Sequence, residues 1–140
     1  NFAKTMLKLA KDRDALTVID DQVGAPTSAE LLADVTAHAL RHAMAHPQVA
    51  GLYNCVAAGE TSWHAYARFV LENARRLGWQ LKAGPDQVAA VSTANYPTAA
   101  QRPLNSRLDT ARLRTVFDLH LPPWQLHARR MLEQITPAVP

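Results

Sequence analysis

The chain has 140 residues, 48% hydrophobic and 19% charged, with a formal net charge of +3. That is apolar material for one packed domain and excludes a disordered, charge-dominated segment. Lys and Arg are interspersed with Asp and Glu, so no cationic stripe of the kind that follows nucleic acid forms, while a small anion met by one or two Arg side chains suits the excess. No apolar run reaches membrane-spanning length and no signal-peptide pattern opens the chain. The single cysteine, Cys55, excludes an internal disulfide and suits a reducing compartment, so the expected location is the cytoplasm.

Phe2, Met6, Leu7, Leu9 and Ala10 recur at helical spacing opposite Lys4, Lys8 and Lys11, predicting a helix over 2–12. It begins without an initiator Met, as expected of polypeptide that continues upstream. The β-branched run over 15–20 predicts a strand, broken by Gly24 and Pro26. Thr27-Ser28-Ala29-Glu30 fits a capping box, in which Glu30 reaches back to the cap amide, and opens a helix from about 28 to 45. Pro47 and Gly51 end it. The apolar run Gly51-Leu52-Tyr53-Asn54-Cys55-Val56-Ala57 predicts a buried strand, with Cys55 as a small buried side chain.

Thr61 or Ser62 caps the next helix, whose face carries Trp63, Tyr66, Ala67, Val70, Leu71, Ala74 and Leu77, with Gly78 as left-handed cap. Glu72 and Arg76 form an i,i+4 pair on its outside. From Trp79 to Arg102 the periodicity fades, leaving a short strand near Val88–Val91 in a long connection. Asp109 or Thr110 caps a helix through Phe117 with Leu113, Val116 and Phe117 inward. Pro122-Pro123 starts a last helix carrying Trp124, Ala128, Met131, Leu132 and Ile135. The fold class is α/β, mostly helical, with too few strands for a self-sufficient sheet.

The chain contains no Gly-x-Gly-x-x-Gly turn for a nicotinamide dinucleotide. It also lacks a Tyr-x-x-x-Lys pair: Tyr53, Tyr66 and Tyr96 are followed four residues later by Ala57, Val70 and Ala100. His38, His42 and His46 form an i, i+4, i+8 ladder too long for one metal ion and read as a solvated helix face. His64, His120 and His127 show no carboxylate partner in sequence and take surface or interface roles. Asp20-Asp21-Gln22 supports two readings, a turn whose side chains cap local amides or the wall of a ligand pocket. Pro103 pushes Arg102 toward extended geometry, which suits either a phosphate clamp or a weakly paired surface cation.

The segments Asn1-Phe2-x-Lys4-Thr5-Met6-Leu7, Asp20-Asp21-Gln22-x-Gly24-Ala25-Pro26-Thr27, Thr61-Ser62-Trp63-His64-x-Tyr66-Ala67, Tyr96-Pro97-Thr98, Arg102-Pro103-x-Asn105-Ser106-Arg107-Leu108 and Leu121-Pro122-x-Trp124, in this order, resemble the C-terminal, substrate-binding portion of the dTDP-4-dehydrorhamnose reductases. These belong to the extended short-chain dehydrogenase/reductase superfamily.

The resemblance covers essentially all of residues 1–140. It implies an enzyme that reduces dTDP-4-dehydro-L-rhamnose to dTDP-L-rhamnose with NADPH or NADH. The nicotinamide and the catalytic residues would be held by an N-terminal Rossmann half outside this chain, so the fragment alone would be inactive, and the Gly51–Ala57 strand would extend the upstream Rossmann sheet. By the same resemblance Asn1 and Phe2 lie at the substrate entrance and Gln22, Arg102 and Asn105 line the nucleotide-sugar side. Glu30 resembles a carboxylate that helps hold Mg²⁺ at a homodimer contact, with Glu133 and Gln134 competing to be its second ligand; the capping-box role is the other reading of Glu30. The alternative function is a stand-alone, non-catalytic nucleotide-sugar-binding or regulatory module.

Overall fold

Helix α1 (Phe2–Asp12) starts at Asn1, whose Oδ1 accepts from the Lys4 amide at 3.0 Å, and buries Ala3, Met6, Leu7 and Ala10 along one stripe. The computed structural model describes residues 1–96 and 100–136. Pro97 and Thr98 of the Tyr96-Pro97-Thr98 segment lie outside the described residues.

Strand β1 (Leu16–Ile19) turns Leu16 and Val18 inward. After β2 (Val23–Gly24) comes helix α2 (Ala29–Ala45), capped by the Ser28 hydroxyl, which accepts from the Leu31 amide at 3.0 Å. Because Ser28 and not Thr27 is the cap, Glu30 sits one position too early to close a capping box, and its carboxylate turns to another helix. The Thr27 hydroxyl instead donates to the Ala25 carbonyl and accepts from the Ala57 amide.

Strand β3 (Thr61–Ser62) leads directly into α3 (Trp63–Arg76), where Ser62, of the two candidate caps, accepts from the Ala65 amide. Gly78 follows at φ 88°, the left-handed position expected of it. Strand β4 (Val88–Val91) lies where the sequence places it. In helix α4 (Ala111–Phe117) Thr110 occupies the cap position while the Asp109 carboxylate bonds the Ala111 amide. Helix α5 (Trp124–Ile135) follows Pro123, and its first amide, on Trp124, donates to the Ala58 carbonyl at 3.0 Å.

Helix α3 is the hub. Its stripe of Ala67, Val70, Leu71 and Ala74 is completely buried against α1 on one side and α5, through Leu132, on the other. The parallel pair β1–β4, in register from Leu16–Val88 to Ile19–Val91, also packs on α3. A second, antiparallel ribbon pairs Val23 with Ser62 and Gly24 with Thr61. Along the other edge of β2, Val23 donates to the Leu104 carbonyl and accepts from the Ser106 amide. That approach requires Gly24: a Cβ there would meet the Ser106 Oγ at 2.5 Å.

The segment 51–57 pairs with no strand among the described residues, and the neighbour expected for it lies outside this chain. An apolar run signals burial, but a strand also needs a neighbour for its amides and carbonyls. Here the segment is held by side chains: Tyr53 Oη donates to the Val49 carbonyl and Asn54 Nδ2 to the Asp109 carbonyl. Leu52 is 86% exposed and Cys55 only half-buried, its thiol pushed up in pKa by that burial. Among the described residues no helix is long and apolar enough to cross a membrane.

Candidate functional site

Alternation along β1 leaves one face of the β1–β4 pair without a covering layer, and a groove of about 360 Å³ forms there. Thr17 and Ile19 make its floor, α1 contributes Phe2 and Met6, and Trp63, Tyr96 and Arg102 stand around the rim. Phe2 anchors an aromatic cluster, its ring centroid 4.7 Å from that of Trp63 and 5.6 Å from that of Tyr66. Trp63 and Tyr96 remain 40% and 42% exposed, so two aromatic faces stay open to a ligand. Arg102 is exposed and makes no ion pair among the described residues.

Of the residues expected at a sugar-nucleotide site, the structure brings Phe2, Gln22 and Arg102 together in this groove. Asn1 sits beside it but spends its side chain on the α1 cap. Asn105 lies across β2 from it, bridged to Val23, with its Oδ1 accepting from the Arg107 amide in a local turn.

The acidic corner at the end of β1 is tied chiefly to residues distant in sequence, with a local bond from the Asp21 amide to its own carboxyl. Asp20 accepts from the Ser62 hydroxyl and faces His64 Nδ1 at 3.5 Å, while His64 Nε2 donates to the Val88 carbonyl at 3.0 Å. Asp21 accepts the Thr93 amide at 2.9 Å and the Thr93 hydroxyl at 2.6 Å. Those bonds, the hydroxyl's first, hold its carboxyl below the usual aspartate pKa. Gln22, only 7% exposed, donates from Nε2 to the same Thr93 hydroxyl at 3.1 Å.

Glu30 lies elsewhere. One carboxylate oxygen is 3.2 Å from His127 Nδ1 and the other 3.1 Å from Arg130, tying the start of α2 to α5. A hard divalent cation asks for several oxygen ligands. Glu30 instead presents both oxygens to nitrogen donors, and no group of three His, Cys, Asp or Glu among the described residues could hold a metal. Within one chain Glu30 therefore forms no Mg²⁺ site among the described residues. His127 and His64, which show no carboxylate partner in sequence, have them 97 and 44 residues away, where no spacing rule reaches. In the α2 ladder, His38 and His46 are exposed as read, but His38 bonds the Phe117 carbonyl and His42 packs edge-on against the Phe117 ring.

A larger hollow of about 500 Å³ lies between 56–60 and 107–121. Its Arg107 is neutralised by a two-point ion pair with Glu60, and of the 51–57 segment Val56 and Ala57 line it. The hollow's Arg114 and the groove's Arg102 both lack an ion pair among the described residues, but the groove at Gln22 also carries open aromatic faces, which makes it the better seat for an anionic, ring-bearing ligand. No glycine-rich turn joins a strand to a helix among the described residues.

The family model for the RmlD substrate binding domain matches residues 1–136. The dTDP-4-dehydrorhamnose reductase of Salmonella typhimurium is 56% identical over 135 residues, covering 96% of this chain and 44% of the relative. That of Burkholderia thailandensis is 39% identical over 129 residues, covering 89% and 43%. Among solved structures, the reductase from Clostridium acetobutylicum superposes with a TM-score of 0.83 at 27% identity, covering 96% of this chain and 44% of that one. The Bacillus anthracis enzyme, in complex with NADP, gives 0.79 at 30% identity, covering 96% and 43%. The chain thus spans less than half the length of these relatives.

Proposed function

This chain belongs to the RmlD substrate binding domain family, and we propose that it supplies the sugar-nucleotide seat of a dTDP-4-dehydrorhamnose reductase. The reaction is reduction of the C4 ketone of dTDP-4-dehydro-L-rhamnose by NADPH or NADH. The single observation that carries this reading is the groove in which Phe2, Gln22 and Arg102 converge under open aromatic faces. Arg102 offers a diphosphate a planar, two-point donor, and the aromatic faces offer a ring something to stack on. Gln22 adds a polar group of fixed direction.

The lack of a glycine-rich strand-to-helix turn among the described residues supports placing nicotinamide binding and the proton donor in the length of the relatives that this chain does not span. We assign the extended 51–57 segment and the hollow beside it to contact with that Rossmann portion. The backbone of residues 52–56, with no strand beside it, supports this reading. By itself the 140-residue chain should turn over no ketosugar. A homodimer with Mg²⁺ at its contact would need Glu30 to release Arg130 and His127 and to gain oxygen ligands from a second copy; Glu30 is better read as a structural ion pair between α2 and α5.

The test is calorimetric titration of the intact protein with dTDP-glucose. Arg102→Ala should weaken binding by about tenfold or more, since a charge-assisted hydrogen bond is worth roughly 1.5–3 kcal/mol. Unchanged affinity in that variant would remove the groove from the substrate site.

A further inference from the structure

The three polar groups at the end of β1 form a directional chain, and its direction fixes what Gln22 can recognise. Thr93 Oγ1 has one hydrogen. The Asp21 carboxylate, an acceptor only, takes it at 2.6 Å. Thr93 Oγ1 can therefore only accept from Gln22, which assigns the 3.1 Å contact to the amide nitrogen of Gln22 and not to its oxygen. The Gln22 Oε1 has no hydrogen-bond partner among the described residues and is not among their sealed-off polar atoms. Gln22 lines both the groove and the smaller adjoining cavity of about 110 Å³.

We infer that Asp21 and Thr93 are positioning residues that lock the Gln22 amide with its oxygen toward the ligand, so that the groove selects a hydrogen-bond donor on the bound nucleotide sugar. This rests on the reading of the groove as a nucleotide-sugar seat. The donor is a neutral N–H or O–H: the imide N–H of the pyrimidine ring or a sugar hydroxyl. A ligand group that only accepts would face an oxygen across a desolvated contact and be rejected. The depressed pKa of Asp21 keeps the chain's first acceptor ionised at neutral pH, so the polarity does not reverse there.

Two measurements on the intact protein and its variants test this. The first needs no ligand: in nitrogen-15 NMR the Gln22 side-chain NH₂ should show a bonded, exchange-protected hydrogen that Thr93→Val abolishes and Thr93→Ser keeps. The second is affinity for dTDP, N3-methyl-dTDP and dTDP-glucose. Thr93→Val should weaken binding about tenfold and Thr93→Ser should restore it. A base donor predicts that wild type binds dTDP about tenfold better than N3-methyl-dTDP and that Thr93→Val removes the difference. A sugar donor predicts that Thr93→Val acts on dTDP-glucose but not on dTDP. Asp21→Asn, which can donate to Thr93 and so turn the amide around, should weaken the affected ligand at least as much as Thr93→Val.

Gln22 NH₂ signals identical in wild type and Thr93→Val would overturn the lock, whatever binds. Normal dTDP-glucose affinity in folded Thr93→Val would overturn its role in recognition. If no variant and no wild-type protein bound any of the three nucleotides, the groove assignment would fall, while the NMR measurement would still decide the lock.

Discussion

The α1–α3–α5 core and the corner where Asp20–Gln22 meets Thr93 are both well ordered, but by opposite means. The core is apolar and local in origin: each helix presents a stripe set by its own sequence, and Val70, Leu71 and Leu132 are sealed where the stripes meet. The corner is polar and non-local, built from hydrogen bonds between residues about 70 positions apart. The first kind of order makes the molecule stable. The second gives one groove a chemical direction, and its bonds contribute little to stability because several of the groups are exposed.

The contrast breaks first at Leu132. Leu132→Ala leaves a cavity between α5 and α3 and should cost about 2–5 kcal/mol in denaturant unfolding, while ligand affinity per folded molecule stays the same. Ser28→Ala removes the α2 cap bond and should cost about 1 kcal/mol, again with no change at the groove. The smallest stability effect belongs to the corner and shows only in acid. Because the folded state holds the Asp21 carboxyl below its usual value, its contribution is complete above about pH 3.9 and is lost as pH falls through the lower, folded value. Followed by NMR, the Thr93 amide should titrate with a midpoint below 3.9; a midpoint at or above it would mean that the bonds do not favour the ionised form.

Sequence legibility divides along the same line. The stripes of α1 and α3, the Gly78 cap and the Val88–Val91 strand could be read because each is encoded within a few residues. Phe2, Gln22 and Arg102 were legible as candidates through a family resemblance, and the fold gathers them. What could not be read is pairing at long range: Thr93 as the partner of Asp21, or His127 as the partner of Glu30. The pairing of the 51–57 run is likewise not encoded locally. Its composition reports apolar surroundings, whereas a strand is made by a neighbour that no local pattern specifies.

The most direct measurement is a structure of the intact protein with dTDP-glucose bound. The diphosphate should lie within hydrogen-bond distance of Arg102, a ring against Trp63 or Tyr96, and a ligand N–H or O–H should donate to Gln22 Oε1. A nucleotide seated instead in the hollow beside Gly59, Arg107 and Leu121, with the Gln22 groove empty, would contradict this placement.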